Sequence, residues 1–249
     1  MTDATEHQHA TRIAGAAGSL LLELRRRLGG KVEADELRAE ADRRSHELIV
    51  DALATAFPGD AVLSEEGRDD AARLDARRVW IVDPLDGTRE FAEPGRSDWA
   101  VHVAFLSDGL LRVGAVALPA LAMTLSTGAS PTLPPRDPAA PLRLAVSRTR
   151  PPDVTEAIRA ALDAELVEMG SAGAKTMAVV RGEVDVYAHA GGQYEWDSAA
   201  PVAVATAAGV HASRLDGGPL RYNQPDPWLP DLLVCRHELA ETVIAAAAG

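Results

Sequence analysis

Val79-Trp80-Ile81-Val82-Asp83-Pro84-Leu85-Asp86-Gly87-Thr88 passes from four consecutive apolar residues directly into two carboxylates three positions apart. The apolar run predicts a buried strand, with Pro84 fixing a turn between the two aspartates. Gly87-Thr88 then opens a helix, whose free backbone amides suit a phosphate. Carboxylates at the end of a buried strand are costly unless compensated, and a divalent cation is the usual compensation. The motif offers oxygen donors only, with neither cysteine nor histidine, so its chemistry points to a hard ion such as magnesium.

The neighbouring segments extend this strand into a sheet. Residues 61–63 form another short apolar run, followed by Glu65-Glu66, and residues 99–106 and 110–118 flank the hairpin signal Ser107-Asp108-Gly109. Residues 123–126 add a further strand. Upstream, Ile13, Ala17, Leu21, Leu24 and Leu28 recur at helical spacing and stop at Gly29-Gly30. Leu48, Ala52, Leu53 and Ala56 mark a second helix ending at Phe57-Pro58-Gly59, with Asp42 near its start as an N-cap.

Downstream, residues 128–141 hold Pro131, Pro134, Pro135, Pro138 and Pro141, a density that excludes helix and sheet interior. This stretch is the expected linker between an N-terminal α+β part, residues 1–130, and a C-terminal α/β part, residues 142–249. In the second part, strand-like 142–146, 166–168, 184–189 and 232–235 alternate with helix-like 152–162, 175–180, 197–208 and 238–247, which argues for a layered α/β arrangement. Glu65, Asp83, Asp86 and Asp197 each sit at the end of a strand or helix. Singly each is ordinary, since Asp-Pro and Asp-Gly form turns and Asp197 could cap the helix that follows.

Composition narrows the function. The 249 residues are 47% hydrophobic and 25% charged, values of an ordinary folded protein rather than a disordered one. A formal net charge of −12 disfavours nucleic acid polymers and anionic membranes as partners. The uncharged run 113–135 is broken by Pro119, Pro131 and Pro134, so it predicts no membrane span. Cys235 is the only cysteine, so there is no intrachain disulfide or thiolate metal cluster, and the N-terminus with Asp3 and Glu6 is unlike a secretory signal. A reducing cytoplasm fits these features.

Glu65-Glu66, Asp83-Pro84-Leu85-Asp86-Gly87-Thr88 and Trp196-Asp197-Ser198-Ala199-Ala200 resemble, in order and spacing, three motifs of the inositol monophosphatase superfamily. The members of that superfamily are lithium-sensitive, magnesium-dependent phosphatases. Residues 83–91, 170–175 and 189–201 look most like its actinobacterial CysQ-type branch, which hydrolyses 3'-phosphoadenosine 5'-phosphate to AMP and phosphate in sulfur metabolism. The resemblance implies a layered sandwich of alternating α and β layers, with two subdomains and the site between them. It also implies that Glu65, Asp83, Asp86, Asp197 and the Leu85 carbonyl hold two or three Mg2+ ions. Thr88, paired with Asp42, would activate the attacking water, and the amides of Gly87 and Thr88 would hold the phosphate.

Ser171 and Lys175 look like the family's nucleotide contacts, the alternative being a capped helix with a solvated lysine. Arg89 could reach a second phosphate. Ser147-Arg148-Thr149-Arg150 resembles a Ser-Arg-Ser-His segment of eukaryotic relatives, with Arg150 replacing the histidine, and His189 stands where some relatives carry arginine. Small phosphorylated substrates are implied, and the family commonly forms homodimers. The alternatives are inositol monophosphatase or fructose-1,6-bisphosphatase activity by the same mechanism, and a non-catalytic phosphate-binding regulator.

Overall fold

The computed structural model describes residues 3–149 and 151–249. Arg150, singled out above, lies outside the described residues. Five strands form the first sheet: β1 (Ala61–Ser64), β2 (Arg78–Asp86), β3 (Ala100–Ser107), β4 (Leu110–Leu118) and β5 (Met123–Ser126), hydrogen-bonded in that order. Only β1 and β2 run parallel. The β3–β4 turn places Asp108 and Gly109 at φ 51° and 74°, the paired positive values that suit a tight hairpin.

Helices α1 (Asp3–Leu28) and α2 (Ala34–Ala56) cover one face of this sheet. Period-two alternation decides which residues meet them: Trp80, Val82, Val101, Val103 and Phe105 pack under α1 and α2, whereas Val79, Ile81, Ala104 and Val116 point the other way. α2 begins eight residues before Asp42, after Glu33, so Asp42 lies well inside the helix and is not its N-cap. Leu37, Ala41, Ser45, Ile49 and Leu53 form the buried face of α2, and the small or polar residues among them hide the helix start from a reading of apolar period.

The second sheet contains β6 (Arg143–Ser147), β7 (Glu165–Met169), β8 (Val186–Tyr194), β9 (His211–Ser213) and β10 (Trp228–Cys235), in the order β7-β6-β8-β10-β9. β6 pairs in parallel with β7 and β8, and β10 is antiparallel to both its neighbours. β8 runs five residues past the apolar stretch, through Gly191 and Gly192 at φ 104° and 93°. α5 (Ala172–Val180) and α6 (Glu195–Ala207) lie between the two sheets and share one core with both. α4 (Val154–Leu162) and α7 (Ala240–Ala247) cover the outer face of the second sheet over Leu144, Val186 and Leu233. The result is five alternating layers: helices, sheet, helices, sheet, helices. α3 (Thr88–Ala92) is a short helix after β2. Among the described residues no helix is long and apolar enough to cross a membrane.

Candidate active site

Strict alternation along β2 would send Asp83 and Asp86 to opposite faces of the sheet. A bulge prevents this: Asp83 lies opposite His102 on β3 but Asp86 lies opposite Ala100, so one extra residue sits on β2 between them. The expected turn at Pro84 is therefore a bulge inside a continuous strand, a place where proline's missing N–H breaks no ladder bond. Ser45 Oγ from α2 donates to the Pro84 carbonyl at 2.7 Å, and Leu85 N donates to Asp83 Oδ1 at 3.0 Å. Both carboxylates thus face the middle helical layer.

That layer brings the third carboxylate. Asp197 is the third residue of α6, and its Oδ2 accepts Tyr194 N at 2.6 Å, so it caps its own helix from inside the first turn. One carboxylate oxygen each from Asp83, Asp86 and Asp197 lies within 4.8 Å of the other two. Burial, with the charges of Glu65, Asp86 and Asp197, pushes Asp83 well above the usual carboxylate range. Burial and the charge of Asp86 raise Asp197 to about 6. Glu65, just past β1, reaches solvent, yet the protein around its carboxyl and the charge of Asp197 push it up to about 7 against a hydrogen-bonding contact with Asp83.

Asp86 behaves oppositely. Burial, the largest single influence, would raise it, but His102, Ser171 and Gly173 together outweigh burial, and Asp86 is held at about 2. His102 Nε2 stands 3.3 Å from Asp86 Oδ2, and Nδ1 is 3.0 Å from the Trp196 carbonyl. Burial lowers the His102 pKa, but Asp86 overcomes it and the net direction is upward. Ser171 Oγ donates to Asp86 Oδ2 at 2.5 Å, and the amides of Ala172 and Gly173 donate to Asp86 at 3.2 and 2.6 Å. Gly173 is required here by space, because a Cβ would stand 2.0 Å from His102 Nε2.

A divalent cation fits this donor set. Asp83 Oδ2 is buried without a hydrogen-bond partner, an unfavourable state that a cation relieves, and the raised carboxyls surrounding it are all oxygen donors.

The remaining predicted residues divide. Thr88 heads α3 and its Oγ1 donates to the Leu85 carbonyl at 3.0 Å, so the threonine and the predicted backbone ligand are in direct contact. Gly87 precedes it at φ 85°, a left-handed conformation that favours glycine. Asp42 makes no direct hydrogen bond with Thr88. Its carboxyl is raised to about 7 by burial and by the charge of Glu66, against the pull of Arg38. Ser171 spends its hydroxyl on Asp86 and accepts Ala174 N at 2.9 Å, holding φ at 52°. Such a conformation in a non-glycine residue is strained and persists only where surrounding bonds fix it.

Lys175 is buried rather than solvated, its Nζ 5.1 Å from the Tyr187 ring centre, and burial lowers its pKa against the pull of Asp86, Glu90 and Asp98. Thr88, Arg89, Ser171 and Lys175 line a cavity of about 250 Å³ together with Arg148, which pairs with Glu90 at 2.7 Å and also with Glu93. His189 and Ser147 line a second cavity, of about 590 Å³.

Sequence reasoning missed His102. A single histidine between Val101 and Val103 carries no pattern, and its one signal is a polar residue interrupting a run of apolar ones.

The model of the inositol monophosphatase family matches residues 4–248. A 3'-phosphoadenosine 5'-phosphate phosphatase of Mycobacterium bovis is 54% identical over 243 residues, covering 93% of this chain and 89% of the relative. The 3'(2'),5'-bisphosphate nucleotidase CysQ of Escherichia coli is 31% identical, covering 76% and 80%. Among solved structures, CysQ from Bacteroides thetaiotaomicron superposes with a TM-score of 0.78 at 28% identity, covering 93% of this chain and 97% of that one.

Proposed function

Because the chain belongs to the inositol monophosphatase family, we propose that it is a phosphoric monoester hydrolase that removes the 3'-phosphate of 3'-phosphoadenosine 5'-phosphate, leaving AMP and phosphate. The observation that carries this reading is the trio Asp83, Asp86 and Asp197, drawn together from β2 and α6 with a buried oxygen of Asp83 unpartnered. With Glu65 and the Leu85 carbonyl, these residues would hold Mg2+, in two or three positions. When bound, the cation would supply positive charge to the phosphoryl group and make water easier to deprotonate.

The protein's own groups do the rest. Asp42, with a pKa of about 7, accepts a proton near neutral pH, and Thr88 Oγ1 orients the attacking water. The amides of Gly87 and Thr88 hold the phosphate at the head of α3. His102 keeps Asp86 ionised and aimed at the site. Arg89 and Lys175 bring positive charge to one cavity of a protein whose net charge is −12, Arg148 there being paired with Glu90 and Glu93, and this supports a substrate with a second phosphate. Ser171 meets substrate only at the edge of the same cavity, its hydroxyl staying on Asp86.

The reading treats residues 1–130 and 142–249 as two subdomains joined by 128–141. It is supported by each part carrying one of the two sheets. It places the enzyme in the cytoplasm, in sulfur metabolism, and extends to a homodimer, which sedimentation would measure. The test is phosphate release from 3'-phosphoadenosine 5'-phosphate, inositol 1-phosphate and fructose 1,6-bisphosphate, with and without Mg2+. Preference for the first substrate with Mg2+ supports the reading, and a higher kcat/KM on either of the others overturns its substrate.

A further inference from the structure

Two lips of the site, the loop leaving β1 with Glu65 and the start of α6 with Asp197, are joined by buried polar groups that the chemistry above does not use. Residues Ala71–Asp75 form a single 3₁₀ turn in the loop after Glu65, capped by Asp70 Oδ1, which accepts Ala72 N at 2.9 Å. From that turn the Arg73 side chain runs inward until it is 1% exposed. Its guanidinium donates to both carboxylate oxygens of Asp69, at 2.6 and 3.0 Å, and to Asn223 Oδ1 at 2.8 Å. Asn223 returns the contact, its Nδ2 donating to the Arg73 carbonyl at 3.0 Å.

The bridge then passes to α6. Glu195, the first residue of that helix, is 1% exposed and accepts the backbone amides of Asn223 and Gln224 at 2.5 and 2.7 Å. Glu195 lies two residues before Asp197. The buried Arg73 and Glu195 are thus both satisfied through half-buried Asn223, one by its side chain and the other by its backbone amide, where burial would otherwise be costly.

The electrostatics of the site give the bridge a task. Glu65 on one lip and Asp197 on the other carry like charge and repel when both are ionised, so holding them together calls for a tie between the loop and α6. Next to it Gly67 N donates to the Ser64 carbonyl at 3.2 Å and Ser64 Oγ lies 2.9 Å from His46 Nδ1 of α2, which fix the start of the loop but not its tie to α6. We infer that Arg73, Asn223 and Glu195 are positioning residues that tie the 65–75 loop to α6 and so hold Glu65 within reach of the cation bound by the three aspartates. The inference rests on the reading of these carboxylates as a cation site.

Asn223 offers a clean perturbation. It stands at φ 59°, where glycine is at least as well accommodated, so Asn223→Gly removes the side-chain contacts with Arg73 and leaves the backbone amides for Glu195. The experiment titrates Mg2+ alone into the full chain by calorimetry and measures amide hydrogen exchange. For Asn223→Gly, Mg2+ affinity should fall by about 10-fold or more, the usual effect of losing a residue that orients a metal ligand. Exchange should rise in 65–75 but not in α5 and α6. Asn223→Asp, which keeps an acceptor for Arg73, should bind Mg2+ more tightly than Asn223→Gly. Faster exchange with Mg2+ affinity equal to the wild type would make the bridge merely structural and overturn the inference alone, as would unchanged exchange. No Mg2+ binding by the wild type would overturn the cation reading together with it.

Discussion

Replacing Gly173 by alanine adds one methyl group at the point where α5 touches His102. That Cβ would lie 2.0 Å from Nε2, 2.8 Å from Cε1 and 3.1 Å from Cδ2 of the imidazole. The ring has nowhere to go: it is fully buried, Nδ1 is held by the Trp196 carbonyl, and Nε2 faces Asp86. Either the ring or the start of α5 must move by more than 1 Å, roughly, and overpacking of this kind costs about 1–3 kcal/mol. Moving the ring also disturbs its 3.3 Å charge contact with Asp86. Gly173→Ala should therefore lose about 1–3 kcal/mol in urea denaturation. His102→Ala empties the space, so adding Gly173→Ala to it should cost far less than in the wild type, an interaction that a double-mutant cycle measures. A loss below about 0.5 kcal/mol in the wild-type background, the usual limit for inconsequential substitutions, or the same loss in both backgrounds, would refute the packing argument.

Other expectations concern the chemistry. Thr88→Ala should bind Mg2+ normally yet lose ~10²–10⁴-fold in turnover, whereas Asp83→Asn should lose both cation binding and turnover; calorimetry and phosphate release separate them. Asp42→Asn should resemble Thr88→Ala, and fully additive losses in the double variant would show that the two do not act as a unit. Excess chelator should abolish phosphate release and Mg2+ restore it, and lithium should inhibit; full activity in chelator would sink the mechanism. The cation-free protein should melt at progressively lower temperature from about pH 4 to about pH 7. Asp42, Glu65 and Asp197 titrate at about 7, 7 and 6 in the fold, above their ordinary values, so what they contribute is complete at acidic pH and lost as pH rises through 6–7. Asp86, held at about 2, runs the other way and loses its contribution only as pH falls toward 2. Saturating Mg2+ should flatten the loss toward about pH 7, which thermal melts at several pH values would check.

The carboxylates of the site were legible because they lie at the ends of apolar runs, where an unpaired charge is most conspicuous. The alternation of layers was legible for the same reason, since apolar period follows burial. What escaped was set by contacts rather than by pattern. The bulge at Pro84-Leu85 shows only when β2 is laid against β3, yet it alone puts Asp83 and Asp86 on one face. The start of α2 was misplaced because its buried side is built partly of Ala41 and Ser45, so Asp42 was assigned a capping role it does not have. Ser171 and Lys175 were found, but not the hydrogen bond to Asp86 or the burial of the amine, which depend on the start of α5 meeting Asp86 of β2 and Tyr187 of β8. β9, with three residues, is too short to leave a periodic trace.

The position of α5 and α6 between the two sheets bears on the order in which the molecule can assemble. Asp83 and Asp86 precede the 128–141 segment and Asp197 follows it, so a species with only one sheet formed lacks part of the donor set. The long sequence separation also makes this meeting a late and entropically expensive event. A ligand that needs all three groups binds none of the partly folded forms, and mass action then draws the population toward the completed chain. Divalent cation in the refolding buffer would act as a selector of finished molecules, slowing their unfolding far more than it hastens their formation.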